Sequence, residues 1–276
     1  MNAPLISIIT PNYNAVSYIA LTIESVLNQT YQNWEMLIQD DCSSDGSYEI
    51  ALEYARKDSR IKVGRNEKNS GTAVTRNKAI EIANGDYLAF LDSDDIWFPE
   101  KLEKQLDFML KNNCDFSFSE YEQISENNQS CGKKIKTVKK LTYAKLLMHE
   151  WPGCLTVMYD QRQSGKIYTP DVRKNNDRAL FLQVVKKMKN AMGIPECLAL
   201  YRIQAHGISR NKFKMLKAHF IVSHYYANCS VLTSIFLIFT QFFIKSFFKV
   251  KRVPRREYDF LNKLQNNIPL NSGANK

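Results

Sequence analysis

The sequence lacks the marks of several large functional classes. Its six cysteines, Cys42, Cys114, Cys131, Cys154, Cys197 and Cys229, never fall in a C-x-x-C or finger spacing. Neither a structural zinc site nor a disulfide framework is therefore suggested, and a reducing compartment is the expectation. Met1 to Ile9 has no basic stretch ahead of an apolar core and runs straight into a strand pattern, so it does not read as a secretory signal. No internal repeat and no recognised nucleic-acid motif stands out. The loop after the first apolar run, Pro11-Asn12-Tyr13-Asn14-Ala15, contains no glycine, lysine or arginine, which excludes a glycine-rich basic phosphate cradle at that point. From Ala218 to Ile244 there is no Asp, Glu, Lys or Arg at all.

What is present reads as a globular chain. Its 276 residues suffice for one large α/β domain, or for a domain of about 200 residues with an appendage. Lys and Arg number 38 against 28 Asp and Glu, a net charge of +10. This excess predicts an anionic partner and leaves phosphate, nucleic acid and anionic lipid open. Strand and helix patterns alternate through the first hundred residues. Strands are expected at Leu5–Thr10, Trp34–Gln39, Ile61–Val63 and Tyr87–Leu91, and helices at Tyr18–Gln29, Ser47–Asp58 and Thr72–Ala83. Strands that are apolar throughout belong in a parallel sheet covered on both faces, whose ligands gather at the carboxyl ends.

Three polar clusters lie at those ends. They are Pro11 to Asn14 with Asn12 between them, Asp40 to Gly46, and Asp92-Ser93-Asp94-Asp95. The last breaks the apolar run Leu88–Leu91 with three carboxylates in four residues. Such charges need a cation or solvent. Hard oxygen ligands at this spacing suit Mg²⁺ or Mn²⁺ carrying phosphate, although a solvated turn ahead of a helix would use the same residues.

The later chain is less regular. Asn127 to Lys140 is a lysine-rich solvated loop or hairpin, Asp177–Lys189 a helix and Ile194–Tyr201 a strand. Trp151, beside Pro152-Gly153, offers an aromatic face on which an acceptor sugar could stack, or a core contact. Val231 to Ile244 is dense in Leu, Ile and Phe, and Lys245, Lys249, Lys251, Arg252, Arg255 and Arg256 follow. This run is shorter than the ~20 residues that span a bilayer, so it reads as an interfacial helix with a cationic cluster, or as a core helix with a basic tail.

As a set, Ile6 to Asn14, Glu24 to Tyr31, the Asp40-Asp41 pair, Gly71 with Arg76-Asn77, and Asp92 to Asp95 resemble the family 2 glycosyltransferases of GT-A fold. The resemblance implies a Rossmann-like, mostly parallel central sheet flanked by helices. It places the transferase domain at 1–215, with a nucleotide half at 1–115 and an acceptor half at 116–215, followed by a helical membrane-associating region at 216–276. It also implies that Thr10 and Pro11 lie against the base, with Asn12, Asn14 and Ser93 in the nucleotide site. Asp40 would accept from the base N3–H, which suits UDP-sugars first and dTDP-sugars second. Arg76 would approach base or phosphates, Asp92 the ribose, and Asp94 with Asp95 a Mn²⁺ or Mg²⁺ ion. His206 would join the metal or the diphosphate, and Arg202 and Arg210 the phosphates. An inverting transferase needs a base. The family's Glu-Asp pair appears here as Asn176-Asp177, which makes Asp177 the expected base, with a helix cap as its alternative role and Asp171 as fallback. The implied acceptor is a lipid-linked saccharide in bacterial surface-polysaccharide assembly, at the cytoplasmic face of the plasma membrane. Two other readings compete: a transferase-like binder without turnover, suggested by Asn176, and a basic nucleic-acid-binding protein.

Overall fold

The first strand, β1 (Ile6–Asn12), is buried along its whole length. Ile8 feeds the apolar layer on one face of the sheet and Ile9 that on the other, and each buried isoleucine contributes about 1.5–3 kcal/mol. Two-sided burial is why the strand carries isoleucine on both faces rather than on one alone. The computed structural model describes residues 3–149, 152–172, 175–204, 212–247 and 250–268. β2 (Trp34–Asp40) and β4 (Tyr87–Phe90) flank β1 in parallel, and β3 (Ile61–Arg65) joins β2, also in parallel. The expected parallel sheet is therefore present in the order β3-β2-β1-β4. α1 (Ile19–Leu27), α2 (Ser47–Lys57) and α4 (Lys101–Lys111) cover one face, while α3 (Thr72–Ile82) and α7 (Asn176–Lys187) cover the other.

Beyond β4 the sheet becomes mixed. β9 (Met158–Asp160) runs antiparallel between β4 and β6 (Phe116–Ile124), and β10 (Ala191–Arg202) runs parallel to β6 while also pairing β5 (Ile96–Trp97) and β8 (Lys140–Leu141). The lysine-rich stretch forms the hairpin alternative. β7 (Ser130–Ile135) folds back on β6, α5 (Tyr143–Met148) follows β8, and the short α6 (Gln161–Ser164) follows β9.

The C-terminal region departs from a single helix and tail. Its charge-free run is broken: α8 (Lys212–Ile221) passes into a wide turn at Val222–Tyr226, and α9 (Val231–Phe247) starts afresh. Asn228 takes a left-handed φ of 54° in the break, and Cys229 N–H caps back to Ser223 O at 3.0 Å. After α9 the chain returns to the domain. β11 (Val250–Arg252) extends the sheet beside β7, and α10 (Asp259–Asn267) packs Leu261 and Leu264 with Leu21 of α1, Ile96 and Leu200. On α9, Ser234 and Leu237 face inward, while Leu232 (80% exposed), Phe236 (62%) and Phe239 (69%) face outward. No described helix is long and apolar enough to cross a membrane.

Candidate active site

Strand register brings the first two clusters together. Asn12 lies opposite Asp40, and Asp40 opposite Arg65, at the carboxyl ends of β1, β2 and β3. The Asp40 carboxylate is fully buried. Its Oδ1 accepts from Asn12 Nδ2 at 2.7 Å and Ser43 Oγ at 2.5 Å. Its Oδ2 accepts from Ser43 N–H at 2.9 Å and faces Arg65 Nε at 3.4 Å. These partners fill the accepting capacity of a carboxylate. Asn14, at a left-handed φ of 46°, donates its N–H to Ser43 Oγ and accepts from Ser44 N–H. The loops after β1 and β2 are thus stitched into one unit. Beside them Thr10 is buried with its Oγ1 lacking a hydrogen-bond partner among the described residues. Tyr13, within the first cluster, is 52% exposed at the rim.

Asp41, part of the second cluster but given no role of its own by the sequence, holds a further loop. Its carboxylate accepts from Ser70 N–H at 2.7 Å, Asn66 Nδ2 at 2.8 Å and Gly71 N–H at 2.8 Å. Burial raises its pKa, but these donors outweigh burial and hold it below the usual carboxylate range. It therefore fastens the loop that starts α3, where Gly71 has φ 85°.

The third cluster is suspended by its backbone. Thr22 Oγ1 of α1 donates to Ser93 O at 3.0 Å and Asp95 O at 2.9 Å. Asp95 Oδ1 accepts from Arg202 N–H at 2.9 Å, whereas its Oδ2 is buried without a hydrogen-bond partner among the described residues. Asp94 Oδ2 accepts from Gln204 Nε2 at 2.7 Å. Burial, with the Asp92 charge adding to it, pushes Asp94 up to about 6. Burial and both neighbouring aspartates push Asp95 well above its ordinary value. Three carboxylates thus share too little positive charge. Arg202 does not reach outward to phosphates as expected. Its guanidinium is buried, donating to Asp94 O at 2.8 Å, Ser125 O at 3.0 Å and Glu126 O at 3.1 Å. Among the described residues no three His, Cys, Asp or Glu converge to hold an ion alone. The orphaned Asp95 Oδ2 and the partly open Asp94 fit a hard divalent cation that takes one or two carboxylates and completes its shell with water and phosphate oxygens.

Arg76 joins this turn to a helix a hundred residues away. It is 2% exposed. Its Nη2 donates to Asp92 Oδ1 at 3.1 Å and its Nη1 to Asn176 Oδ1 at 2.7 Å, while Cys154 Sγ lies 3.6 Å from Nη2. Burial opposes its charge, but Cys154, Asp92 and Asp177 together outweigh burial and raise its pKa. Arg76 is therefore a strut between the two halves, with its charge already committed. Asp177 sits in the first turn of α7, its Oδ1 accepting from Arg178 N–H at 2.8 Å. The helix cap is Asn175, not Asp177. Asp171 is exposed in the loop before α7. Trp151, His206 and Arg210 lie outside the described residues.

Comparison with known proteins agrees with this geometry. The family model described as Glycosyl transferase family 2 matches residues 7–206. TuaG of Bacillus subtilis, whose name assigns it provisionally to teichuronic acid biosynthesis, is 48% identical over 219 residues, covering 79% of this chain and 87% of that protein. WfgD of Escherichia coli, named UDP-Glc:α-D-GlcNAc-diphosphoundecaprenol β-1,3-glucosyltransferase, is 45% identical over 218 residues, covering 79% of this chain and 84% of WfgD. The crystal structure of S. aureus TarS in complex with UDP-GlcNAc superposes with a TM-score of 0.68 at 18% identity, covering 86% of this chain and 70% of TarS, a likeness of fold. With a match from β1 to the end of the second half and relatives above two fifths identity, the chain belongs to glycosyl transferase family 2 and has the GT-A fold.

Proposed function

We propose that this protein transfers a sugar from a UDP-sugar to a hydroxyl of a lipid-linked saccharide, with inversion at the anomeric carbon, in the assembly of a cell-surface polysaccharide. The observation that supports the reading most is the Arg76 strut, which ties Asp92 at the head of the Asp92–Asp95 turn to Asn176 at the start of α7. Thr10, Pro11, Asn12, Asn14 and Ser93 form the nucleotide side, with Asp40 holding Asn12 and Ser43 in place and offering its oxygens to the base N3–H only by exchange with those partners. Asp92 meets the ribose. Asp94 and Asp95 would hold Mn²⁺ or Mg²⁺, which stabilises the charge developing on the diphosphate leaving group. The acceptor hydroxyl oxygen attacks the anomeric carbon while the bond from that carbon to the diphosphate oxygen breaks. The electron pair leaves on UDP and the hydroxyl proton passes to Asp177. A donor α-linked to UDP gives a β-linked product by this displacement.

A membrane surface is the proposed location of the acceptor, on the cytoplasmic face. Support comes from the outward face of α9 and from β7 against β11, where Lys133 lies opposite Arg252 and Lys134 opposite Lys251. Like charges directly opposite destabilise a ladder. Lys134 is offset by Glu120 at 2.6 Å; anionic lipid would offset the others, and apolar and cationic signals together suffice for peripheral attachment.

Incubation with UDP-glucose or UDP-GlcNAc, Mn²⁺ and an α-GlcNAc-diphospholipid tests the reaction. A β-linked product that is formed by the wild type and reduced by about 10²–10⁴-fold in Asp177→Asn is expected. Full transfer by that variant would refute the base assignment. Donor binding without turnover of any sugar would favour the binder.

A further inference from the structure

The residues on either side of Asp177 are held by one side chain from beyond the stretch that the family model matches. That match ends at residue 206. His219, on α8, is buried, and its Nδ1 lies 3.1 Å from Asn175 Nδ2 and 2.6 Å from Arg178 Nη1. A guanidinium only donates, so Nδ1 accepts and carries no proton. Arg178 Nη2 also donates to Leu147 O of α5 at 2.6 Å, so the guanidinium cannot swing away without losing two bonds. Asn175 takes a left-handed φ of 55° to enter the helix. A non-glycine residue in that conformation needs support from its surroundings. Asn176, between them, is held from the opposite side by Arg76 at 2.7 Å. The first turn of α7 is therefore pinned from two directions: by the nucleotide half through Arg76, and by the C-terminal helical region through His219.

We infer that His219 is a positioning residue for transfer, fixing the first turn of α7 so that the Asp177 carboxylate stands in line with the acceptor hydroxyl. The inference rests on the reading of Asp177 as the base. It gives the C-terminal region a role in the reaction besides attachment, because α9 packs on α8 and on α5 next to this contact. Displacement of a catalytic group by about 1 Å costs as much as a hundredfold in rate.

The test compares His219→Leu with His219→Asn, whose Oδ1 can take the place of Nδ1 as acceptor. The readouts are kcat and donor KM, calorimetric UDP affinity and thermal unfolding, with Asp177→Asn alongside. His219→Leu should lower kcat by about ten- to a hundredfold while donor KM and UDP affinity stay within about twofold, and His219→Asn should recover most of the loss. Unchanged kcat in His219→Leu overturns the inference, as does a kcat loss equal in both variants. If His219→Leu does not fold, Asn175→Ala removes one of the two contacts and is held to the same split between kcat and UDP affinity. Full activity of Asp177→Asn would overturn the reading of the base, a result distinct from any His219 outcome.

Discussion

Asp94 shows how far a single residue can be read from the chain. An apolar strand ending in Asp92-Ser93-Asp94-Asp95 announces a carboxylate cluster, and the fold delivers one with a buried Asp95 oxygen that has no hydrogen-bond partner among the described residues. The sequence could not show that Gln204 orients Asp94 at 2.7 Å, because that contact spans more than a hundred residues. Residues that orient a metal ligand affect affinity by tenfold or more. Gln204→Leu should therefore weaken Mn²⁺-dependent UDP binding by about tenfold in calorimetry, and unchanged affinity would deny Asp94 its role. Arg76 and Asp41 were hidden for a related reason. A motif marks an arginine beside a nucleotide site, but only the fold shows its guanidinium already paired with Asp92 and donating to the Asn176 amide oxygen. Asp41 adjoins Asp40, yet successive strand residues face opposite ways, and two of its three partners are backbone N–H groups that carry no sequence signal.

At the scale of elements, the alternation of the first half was legible almost to the residue, since two-sided burial writes continuous apolar runs between polar turns. Later on, the helix expected at Asp177–Lys189 and the strand at Ile194–Tyr201 fall on α7 and β10, but the C-terminal region was not legible. A charge-free run reads the same whether it forms one helix or two, and nothing in the composition of 250–268 marks β11 or α10. Tyr258 holds that return in place, donating from its hydroxyl to Glu122 Oε2 at 2.6 Å and packing with Leu261 and Leu264. Burial, and then the bond to Glu122, push its pKa from 10.0 up to about 12. A raised pKa favours the protonated, folded form. This stabilisation, at most about 3 kcal/mol, is complete below pH 10 and lost as the pH rises through 12. The denaturant midpoint of the wild type should fall more steeply across that window than that of Tyr258→Phe. Parallel slopes would show that Tyr258 does not couple α10 to the sheet.

For the whole molecule, the net charge of +10 and the apolar face of α9 predict binding to anionic vesicles that weakens with salt. Each phenylalanine buried in the interface is worth about 1.5–3 kcal/mol. Replacing Phe236 and Phe239 together by Glu should lower vesicle partitioning by more than about a hundredfold, while UDP binding is unchanged. Equal partitioning of variant and wild type would remove α9 from the membrane reading. The sequence offered the apolar Val231–Ile244 run and the cationic cluster after it as the surface-contacting stretch, but not which of its side chains face outward. The fold sets Leu232, Phe236 and Phe239 outward on a helix whose inner side carries Ser234 and Leu237.

The nucleotide-sugar site proposed for this protein depends on a divalent cation held by Asp94 and Asp95. Calorimetric titration of the purified protein with UDP, in Mn²⁺ and again in EDTA, with Asp94→Ala beside the wild type, tests it most directly. Binding should require Mn²⁺ and be lost in the variant. UDP binding of equal strength in EDTA, or retained in full by Asp94→Ala, would contradict it.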